Sequence, residues 1–253
     1  MYPTFFHIGN FEVTSFGVMV AVGALVGLWV FGRELARSGL PASASDAAMA
    51  GVFGGLVGAK LLWVVEHLGE EPFRDLLFSR GGMSWFGGLV GGVGTALIVM
   101  RRLRLPIVAT LAAATPALAI GHAIGRIGCF LVGDDYGRPS DLPWAVAFPR
   151  GLPPTDVPVH PTQLYEMFAL FIVAWVLIRW RRRGVPNGIV LGRYLILAGA
   201  IRFAIEFIRV NVRIIGPFTL AHLVSMGLIL TGALILLRAP AASHGGTKAR
   251  RLA

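Results

Sequence analysis

The chain has 253 residues, of which 55% are hydrophobic and only 14% are charged. Soluble domains carry about 25% charged residues, so this composition excludes an ordinary soluble protein and indicates one that folds in a lipid bilayer. A net charge of +10 would suggest a nucleic-acid partner for a soluble protein. Here the basic residues are sorted between the loops that join apolar segments, and we therefore predict no nucleic-acid partner.

Apolar segments fill most of the chain. A membrane-spanning helix needs about 20 mostly apolar residues. We predict an all-α, polytopic membrane protein of about seven transmembrane helices. Residues 1–238 would form a single transmembrane domain with a structured outer loop at 132–161, and 239–253 a basic, disordered cytoplasmic tail. The seven segments lie near 14–36, 46–68, 83–100, 107–128, 163–180, 188–208 and 217–237.

Basic residues follow every second predicted span. Thirteen Lys and Arg residues follow the first, third, fifth and seventh spans, whereas six lie in the other loops. Cytoplasmic loops of membrane proteins carry the excess of Lys and Arg. The sequence therefore predicts a cytoplasmic C-terminus and an N-terminus on the outer side, in agreement with an odd number of spans.

The second and third predicted spans are rich in glycine. They contain the runs Gly51-Val-Phe-Gly-Gly-Leu-Val-Gly58 and Gly87-Gly-Leu-Val-Gly-Gly-Val-Gly94. Small residues at these spacings let helices approach each other closely within a membrane. We predict that most of these glycines serve tight packing.

Ionisable side chains within the predicted spans are candidates for function, because they are costly in the hydrocarbon layer. The fourth span carries His122 and Arg126 one turn apart, and the sixth carries Arg202 and Glu206 four residues apart. The second pair can neutralise itself on one helix face, yet a paired arginine keeps donors for another anion. Guanidinium groups suit phosphate, so we predict that the two arginines bind a phospholipid headgroup.

The segment between the fourth and fifth spans, residues 132–161, is the one long polar stretch. It is rich in Pro, Gly and Asp, which predicts a structured loop with tight turns rather than a helix. Trp144 and Phe148 are expected to reach the headgroup layer, where aromatic residues are common.

Several motifs together resemble one known family. The run Gly121-His-Ala-Ile-Gly-Arg-Ile-Gly-Cys-Phe-Leu-Val-Gly-Asp-Asp-Tyr-Gly-Arg138 is similar to the signature of the prolipoprotein diacylglyceryl transferases, and Ser225-Met-Gly227 also fits. The resemblance extends over nearly the whole chain. Three other stretches agree in order and spacing: Gly81-Gly-Met-Ser-Trp-Phe-Gly-Gly-Leu89, His160-Pro-Thr-Gln-Leu-Tyr-Glu166 and Gly199-Ala-Ile-Arg-Phe-Ala-Ile-Glu-Phe-Ile-Arg209.

The resemblance implies a specific reaction. Members of this family transfer the diacylglyceryl group of phosphatidylglycerol to the lipobox cysteine of a secreted prolipoprotein. A thioether forms and glycerol-1-phosphate is released, with no metal or other cofactor. The implied partners are phosphatidylglycerol, prolipoprotein lipobox peptides and membrane lipids. The implied location is the bacterial inner (plasma) membrane, which the chain crosses several times, with the active site facing the outer side.

The resemblance also implies roles for individual residues. Arg126 and Arg202 match the essential arginines, which would bind the phosphate and stabilise the charge that grows during transfer. Glu206 would orient Arg202, and Tyr165 and Glu166 would lie near the glycerol. The remaining substrate-binding candidates are Gly125, Gly137, His160 and Cys129.

The sequence departs from the family pattern at several positions. Many members have His where this chain has Phe86, and Tyr where it has Phe16. Two asparagines are replaced by Cys129 and Val132, and the usual Glu is Asp134. Each change removes or shortens a polar group.

The loss of histidine at position 86 leaves the general base open. A base is needed because the thiolate, not the thiol, is the nucleophile. The candidates are His122, Asp134 and His160, of which His160 begins a His-Pro turn and is expected mainly to anchor the loop. Cys129 is expected to act as a small hydrophobe rather than as a covalent nucleophile.

Two alternative functions remain open at this point. The departures from the motif are compatible with a paralogue that uses the same lipid donor and a different acceptor. A phospholipid-binding membrane protein or transporter without catalysis is the other alternative. A transporter would favour broken helices and an internal repeat, and no repeat is evident.

Overall fold

The structure, a computed structural model, describes residues 2–9, 11–79, 82–211 and 213–239. The predicted tail lies outside these residues, apart from Ala239. Within the described residues the chain forms eight helices and four short strands. In chain order they are β1 (Thr4–Ile8), β2 (Phe11–Thr14), α1 (Ser15–Ser38), α2 (Ala44–Glu66), α3 (Phe73–Phe78), α4 (Trp85–Arg102), α5 (Ile107–Val132), β3 (Val146–Phe148), β4 (Thr155–Val159), α6 (Thr162–Arg182), α7 (Asn187–Glu206) and α8 (Leu220–Arg238).

Two antiparallel hairpins correct the prediction of an all-α protein. β1 pairs with β2, and β3 pairs with β4. The first hairpin is rich in aromatic and β-branched residues, which suit strands, and turns at Gly9 with a left-handed φ of +60°. Strands of three to five residues are too short to produce the apolar segments of about 20 residues that predicted the helices. The protein is therefore mostly helical, with two small strand pairs.

Six helices within the described residues are long and apolar enough to cross a membrane, namely α1, α2, α5, α6, α7 and α8. The seventh predicted span corresponds to α4, which has 18 residues. Because the helix has only 18 residues, any stretch of that length includes its five glycines and the terminal Arg101 and Arg102, which lower its mean hydropathy. The structure thus agrees with a protein of several membrane spans, and the count of seven stays a prediction.

The chain divides into two compact units. One comprises the residues up to Gly23 together with those from Leu118 onward, and the other comprises Ala24–Ala117. Helices α1 and α5 contribute residues to both units. The single transmembrane domain predicted from the sequence stays a prediction.

In the unit Ala24–Ala117, glycines bring α2 and α4 into close contact. A Cβ atom at Gly92 would lie 3.0 Å from the carbonyl oxygen of Gly51, and one at Gly58 or Gly87 would collide with the backbone of the opposite helix. Only glycine permits backbones to approach this closely. The prediction that the glycine runs serve tight packing is confirmed.

In the other unit, α6 has one face inside the protein and one outside. Leu170, Val173, Ala174 and Leu177 are buried, whereas Phe168, Ile172 and Trp175 are exposed. Large apolar side chains exposed along a helix are expected where the helix faces lipid. Helices α7 and α8 also pack closely, because Gly192 on α7 faces Gly232 on α8.

The segment between α5 and α6 folds around the buried ring of Phe148. Phe148 is fully buried and stacks on Tyr136 with ring centroids 5.4 Å apart, so its predicted place in the headgroup layer is wrong. The ring sits on β3, whose pairing with β4 folds it inward. Trp144, by contrast, is exposed.

Candidate active site

A buried ion pair joins α5 to α6. Arg126 is 8% exposed, and its Nε lies 2.8 Å from Oε2 of Glu166, which is 1% exposed. The Nε–H group lacks hydrogen-bond geometry, so the contact acts through charge. A buried charge is stable only when it is paired. Arg126 and Glu166 therefore each provide the opposite charge that the other requires.

The second oxygen of Glu166 faces His122. The Nε2 of His122 lies 3.4 Å from Oε1 of Glu166, and the side chain of His122 is 37% exposed. His122 lies one turn before Arg126 on α5, so both contact the same carboxylate. A carboxylate next to one imidazole nitrogen fixes the ring and leaves Nδ1 for another partner.

The carboxylate of Asp135 lies between two arginines. Its Oδ2 accepts a hydrogen bond of 2.8 Å from Nη1 of Arg126, and its Oδ1 accepts one from Nη2 of Arg209. The Asp135 side chain is 39% exposed, whereas that of Arg209 is 6% exposed. Burial opposes the ionisation of Asp135, but Arg209 and then Arg126 outweigh it and hold the pKa of Asp135 well below its usual range.

Glu206, the last residue of α7, pairs with Arg202. Its Oε2 lies 2.8 Å from Nη2 of Arg202 and 3.9 Å from Nε of Arg209. Its Oε1 accepts hydrogen bonds of 2.7 Å from Asn211 and Thr219. Glu206 is buried, and these partners hold it in one orientation.

Arg202 has an unused donor. Its Nη1 is buried and has no hydrogen-bond partner among the described residues. An unpaired buried donor is unfavourable and is satisfied when a ligand binds. Arg202 therefore combines a fixed position with a donor available to an anion.

The contacts of Glu206 extend to the start of α8. Thr219 caps this helix, and the side chain of His222 reaches back to the Thr219 backbone N–H at 3.2 Å. Thr219 thus contacts both the helix and Glu206, so α8 helps to position the acid that pairs with Arg202.

Backbone contacts fix the predicted outer loop to the ends of α6 and α7. The N–H of Gly137 donates to the carbonyl of His160, and the N–H of Arg138 donates to that of Ile208, both at 2.9 Å. Thr162 at the start of α6 donates its hydroxyl to the carbonyl of Asp135 at 2.7 Å. These contacts hold Asp135 near the arginines.

His160 and Tyr165 face the loop. The indole N–H of Trp144 donates to the hydroxyl of Tyr165 at 2.8 Å, and Nδ1 of His160 lies 3.3 Å from the same oxygen. The backbone N–H of His160 also donates to the carbonyl of Arg138. Both residues lie where the loop meets α6, while Glu166 lies with the arginines.

Cys129 lies beside Arg126. Nη1 of Arg126 lies 3.5 Å from its buried Sγ. Cys129, Asp134 and Asp135 bring one ligand atom each to within 4.8 Å of one another. Two guanidinium groups already occupy Asp135 and would repel a cation, so this group does not suit a metal ion.

Asp134 differs from its neighbour. Burial, and then the negative charge of Asp135, raises the pKa of Asp134 to about 6. Its Oδ1 is buried without a hydrogen-bond partner among the described residues. A carboxylate with a pKa near neutrality suits proton transfer, and Asp134 therefore stays a candidate base.

The two glycines predicted to bind substrate have different surroundings. A Cβ atom at Gly137 would lie 2.9 Å from the side chains of His160 and Thr162 and 3.0 Å from the carbonyl oxygen of Ile208. At Gly125, next to Arg126, a Cβ atom would meet no described atom within 4 Å. Gly137 is thus required for packing, whereas Gly125 borders open space.

Several residues that make contacts in the site were not predicted as site residues. Asp135, Asn211 and Thr219 have no spacing in the sequence that indicates their contacts. Arg209 ends the motif that begins at Gly199. Its position three residues after Glu206 was the one sequence feature that could have predicted their contact. Three arginines and three carboxylates, all in one compact unit, form the linked cluster: Arg126, Arg202, Arg209, Asp135, Glu166 and Glu206.

Comparisons with known proteins agree with the family indicated by the motifs. The model of the family "prolipoprotein diacylglyceryl transferase" matches residues 3–238. The chain is 32% identical to a protein of Geobacter sulfurreducens over 91% of this chain and 92% of the relative. It is 33% identical to one of Methylococcus capsulatus over 92% and 94% of the two chains. Both relatives are named phosphatidylglycerol–prolipoprotein diacylglyceryl transferase.

A more distant relative with the same name, from Clostridium tetani, is 28% identical over 83% of this chain and 86% of its own length. The family match covers nearly the whole chain, including all the helices and the arginine cluster. The sequence-based identification of the family and the prediction of a transferase are therefore confirmed. The chain belongs to the prolipoprotein diacylglyceryl transferase family, and it is a membrane transferase of lipoprotein biosynthesis.

Proposed function

We propose that this protein transfers the diacylglyceryl group of phosphatidylglycerol to the lipobox cysteine of secreted prolipoproteins. The relatives' names give phosphatidylglycerol as donor and prolipoprotein as acceptor for those proteins. The observation that carries the proposal is the group of Arg126, Arg202 and Arg209, whose side chains are 9%, 20% and 6% exposed and in which Arg202 keeps an unused buried donor. A membrane protein that holds three largely buried guanidinium groups together is suited to a lipid phosphate.

The reaction is a displacement at carbon. The cysteine sulfur attacks the glyceryl carbon that carries the phosphate, and a C–S bond forms as the C–O bond breaks. The electron pair of that bond goes to the phosphate oxygen, and glycerol-1-phosphate leaves. The thiol proton goes to a base, and the scheme needs no cofactor.

The arginines act on the leaving group. The phosphate carries one negative charge in the lipid and gains a second as the C–O bond breaks. Donors aimed at a developing charge stabilise the transition state more than the ground state. Arg126 and Arg202 are each fixed by a buried carboxylate, so we assign them this catalytic role.

His122 is the base that the geometry favours. Glu166 lies beside its Nε2 and the imidazole is partly exposed, so Nδ1 can accept the thiol proton. Asp134 is the second candidate, because its pKa is about 6. Phe86 has no group that can accept a proton.

The remaining residues are assigned to substrate binding. Gly125 borders open space next to Arg126 and would admit the lipid. Tyr165, His160 and the backbone at Gly137 would shape the loop side of the site. Glu166 and Glu206 position the arginines, and Cys129 contributes a small apolar surface.

We infer the topology from the distribution of charge. The seven apolar segments would give seven spans, and the excess of Lys and Arg in every second loop would place the N-terminus outside and the C-terminus in the cytoplasm. The segment between α5 and α6 would then face the outer side of the bacterial inner membrane, where secreted prolipoproteins arrive. A single transmembrane domain would carry the site.

A transfer assay tests the proposed function. The purified protein in liposomes receives phosphatidylglycerol and a lipobox peptide, and the peptide is followed by mass. We expect a gain of one diacylglyceryl group with the wild type and its loss with Arg126→Ala and Arg202→Ala. Arg150→Ala, an exposed loop variant, serves as the matched control. If the folded wild type gives no mass gain, lipobox transfer is contradicted, and other acceptors or lipid binding alone become the better hypotheses.

A further inference from the structure

Asp135 bridges two guanidinium groups in the way that a phosphate would. Its two carboxylate oxygens each contact a different arginine, Arg126 on α5 and Arg209 just after α7. A bound phosphodiester would likewise present two acceptor oxygens, each contacting a different arginine. We propose that the Asp135 carboxylate occupies the position of the lipid phosphate on Arg126 and Arg209, so that Asp135 and the lipid compete for the two arginines. This inference rests on the proposed function for the identity of the lipid.

Charge balance supports an exchange of one anion for another. The linked cluster holds three arginines and three carboxylates, which balance each other when all are ionised. Movement of Asp135 away from the cluster leaves one positive charge without a partner. The phosphodiester of phosphatidylglycerol carries one negative charge and restores the balance.

The burial of the three acids identifies Asp135 as the group that moves. Glu166 and Glu206 are buried inside the protein, whereas the Asp135 side chain is 39% exposed. Water can solvate an exposed carboxylate after it leaves an arginine, but not a buried one. Arg126 and Arg209 keep Glu166 and Glu206 as neighbours at 2.8 Å and 3.9 Å when Asp135 leaves.

The backbone at Asp135 allows a side-chain test without a change of fold. Its φ is +62°, a left-handed conformation that Asp and Asn adopt more readily than other non-glycine residues. Its carbonyl oxygen is held by Thr162 independently of the carboxylate. Asp135→Asn therefore removes the charge while it keeps the size and the backbone preference.

The competition predicts a change in KM rather than in kcat. If Asp135 occupies the arginines in about nine molecules out of ten, its removal tightens the apparent affinity about tenfold. We expect Asp135→Asn to lower the KM for phosphatidylglycerol about tenfold, with kcat changed by less than about twofold. The inhibition constant of glycerol-1-phosphate should fall by a similar factor.

One control and one replacement variant separate competition from a merely structural bridge. Asp156→Asn removes an exposed carboxylate from β4 and should leave the KM unchanged. Asp135→Ser is a second neutral variant, used if Asp135→Asn lowers the thermal midpoint so far that kinetics become unreliable. A structural bridge predicts lower stability without tighter binding. An unchanged or higher KM in Asp135→Asn, or in Asp135→Ser where that variant replaces it, would overturn the competition and leave the proposed transfer intact.

The binding of glycerol-1-phosphate to the purified protein, followed by calorimetry, separates the two hypotheses. If the wild type fails to modify a lipobox peptide, the proposed function fails, but this measurement still decides the inference. Tighter binding to Asp135→Asn than to the wild type would support a competing carboxylate. Equal binding to both proteins would overturn it.

Discussion

The Nε2 atom of His122 on α5 lies 3.4 Å from Oε1 of Glu166 on α6. The same carboxylate contacts Arg126, so one buried acid positions both the candidate base and an arginine that we propose binds the phosphate. This relationship makes the role of His122 testable by its removal and replacement.

His122→Ala should lower kcat about 10²- to 10⁴-fold if the imidazole accepts the thiol proton. Added imidazole should restore part of the activity, because it can enter the space left by the side chain. The measurement is kcat for peptide modification with and without imidazole, with Asp134→Asn as the comparison. Loss of activity in Asp134→Asn together with near-normal activity in His122→Ala would assign the base to Asp134.

Lysine should not replace the arginines. Arg126→Lys and Arg202→Lys keep the positive charge but lose the planar set of donors that reaches a carboxylate and a phosphate together. We expect kcat to fall about 10²- to 10³-fold in each. Arg150→Lys, in the exposed loop, is the control and should leave kcat unchanged. Wild-type rates in the two cluster variants would mean that charge alone is sufficient.

The stability of the protein should depend on pH through Asp134. Its pKa is raised to about 6, so the folded protein holds the proton more tightly than the unfolded chain, whose Asp titrates near about 3.9. The stability contributed by the protonated group is therefore present below about pH 4 and is lost as the pH rises through about 6.

The thermal midpoint of Asp134→Asn should accordingly exceed that of the wild type by an amount that grows between about pH 4 and pH 6 and then stays constant. Thermal unfolding in detergent across this range measures the difference. Asp156→Asn controls for the loss of one carboxylate. A difference that does not vary with pH would contradict the raised pKa.

Gly137→Ala should destabilise the protein, whereas Gly125→Ala should not. A methyl group at Gly137 collides with His160, Thr162 and the carbonyl of Ile208, and such overpacking costs about 1–3 kcal/mol. A methyl group at Gly125 meets no described atom within 4 Å. Thermal unfolding compares the two variants, and the KM for phosphatidylglycerol shows whether Gly125 admits the lipid. Equal stability of both variants would argue against the packing role of Gly137.

Local composition and short spacings in the sequence were enough to predict several features of this protein. Apolar segments predicted the membrane helices, because a spanning helix must be apolar along about 20 consecutive residues. The pairing of Arg202 with Glu206 could be predicted because residues four apart lie on the same helix face. The glycine runs predicted close packing for the same reason, and the ordered motifs identified the family.

Which of these residues contact one another depends on the folded arrangement of the helices and loops. Asp135 and Arg209 are 74 positions apart, and no periodicity in the sequence relates them. The contact of Glu166 with both His122 and Arg126 depends on how α6 packs against α5, and the burial of Phe148 depends on the pairing of β3 with β4. Contacts between distant segments are set by the packing of whole elements, which local patterns do not encode. The sequence therefore named most of the charged residues of the site, and the fold assigned their partners.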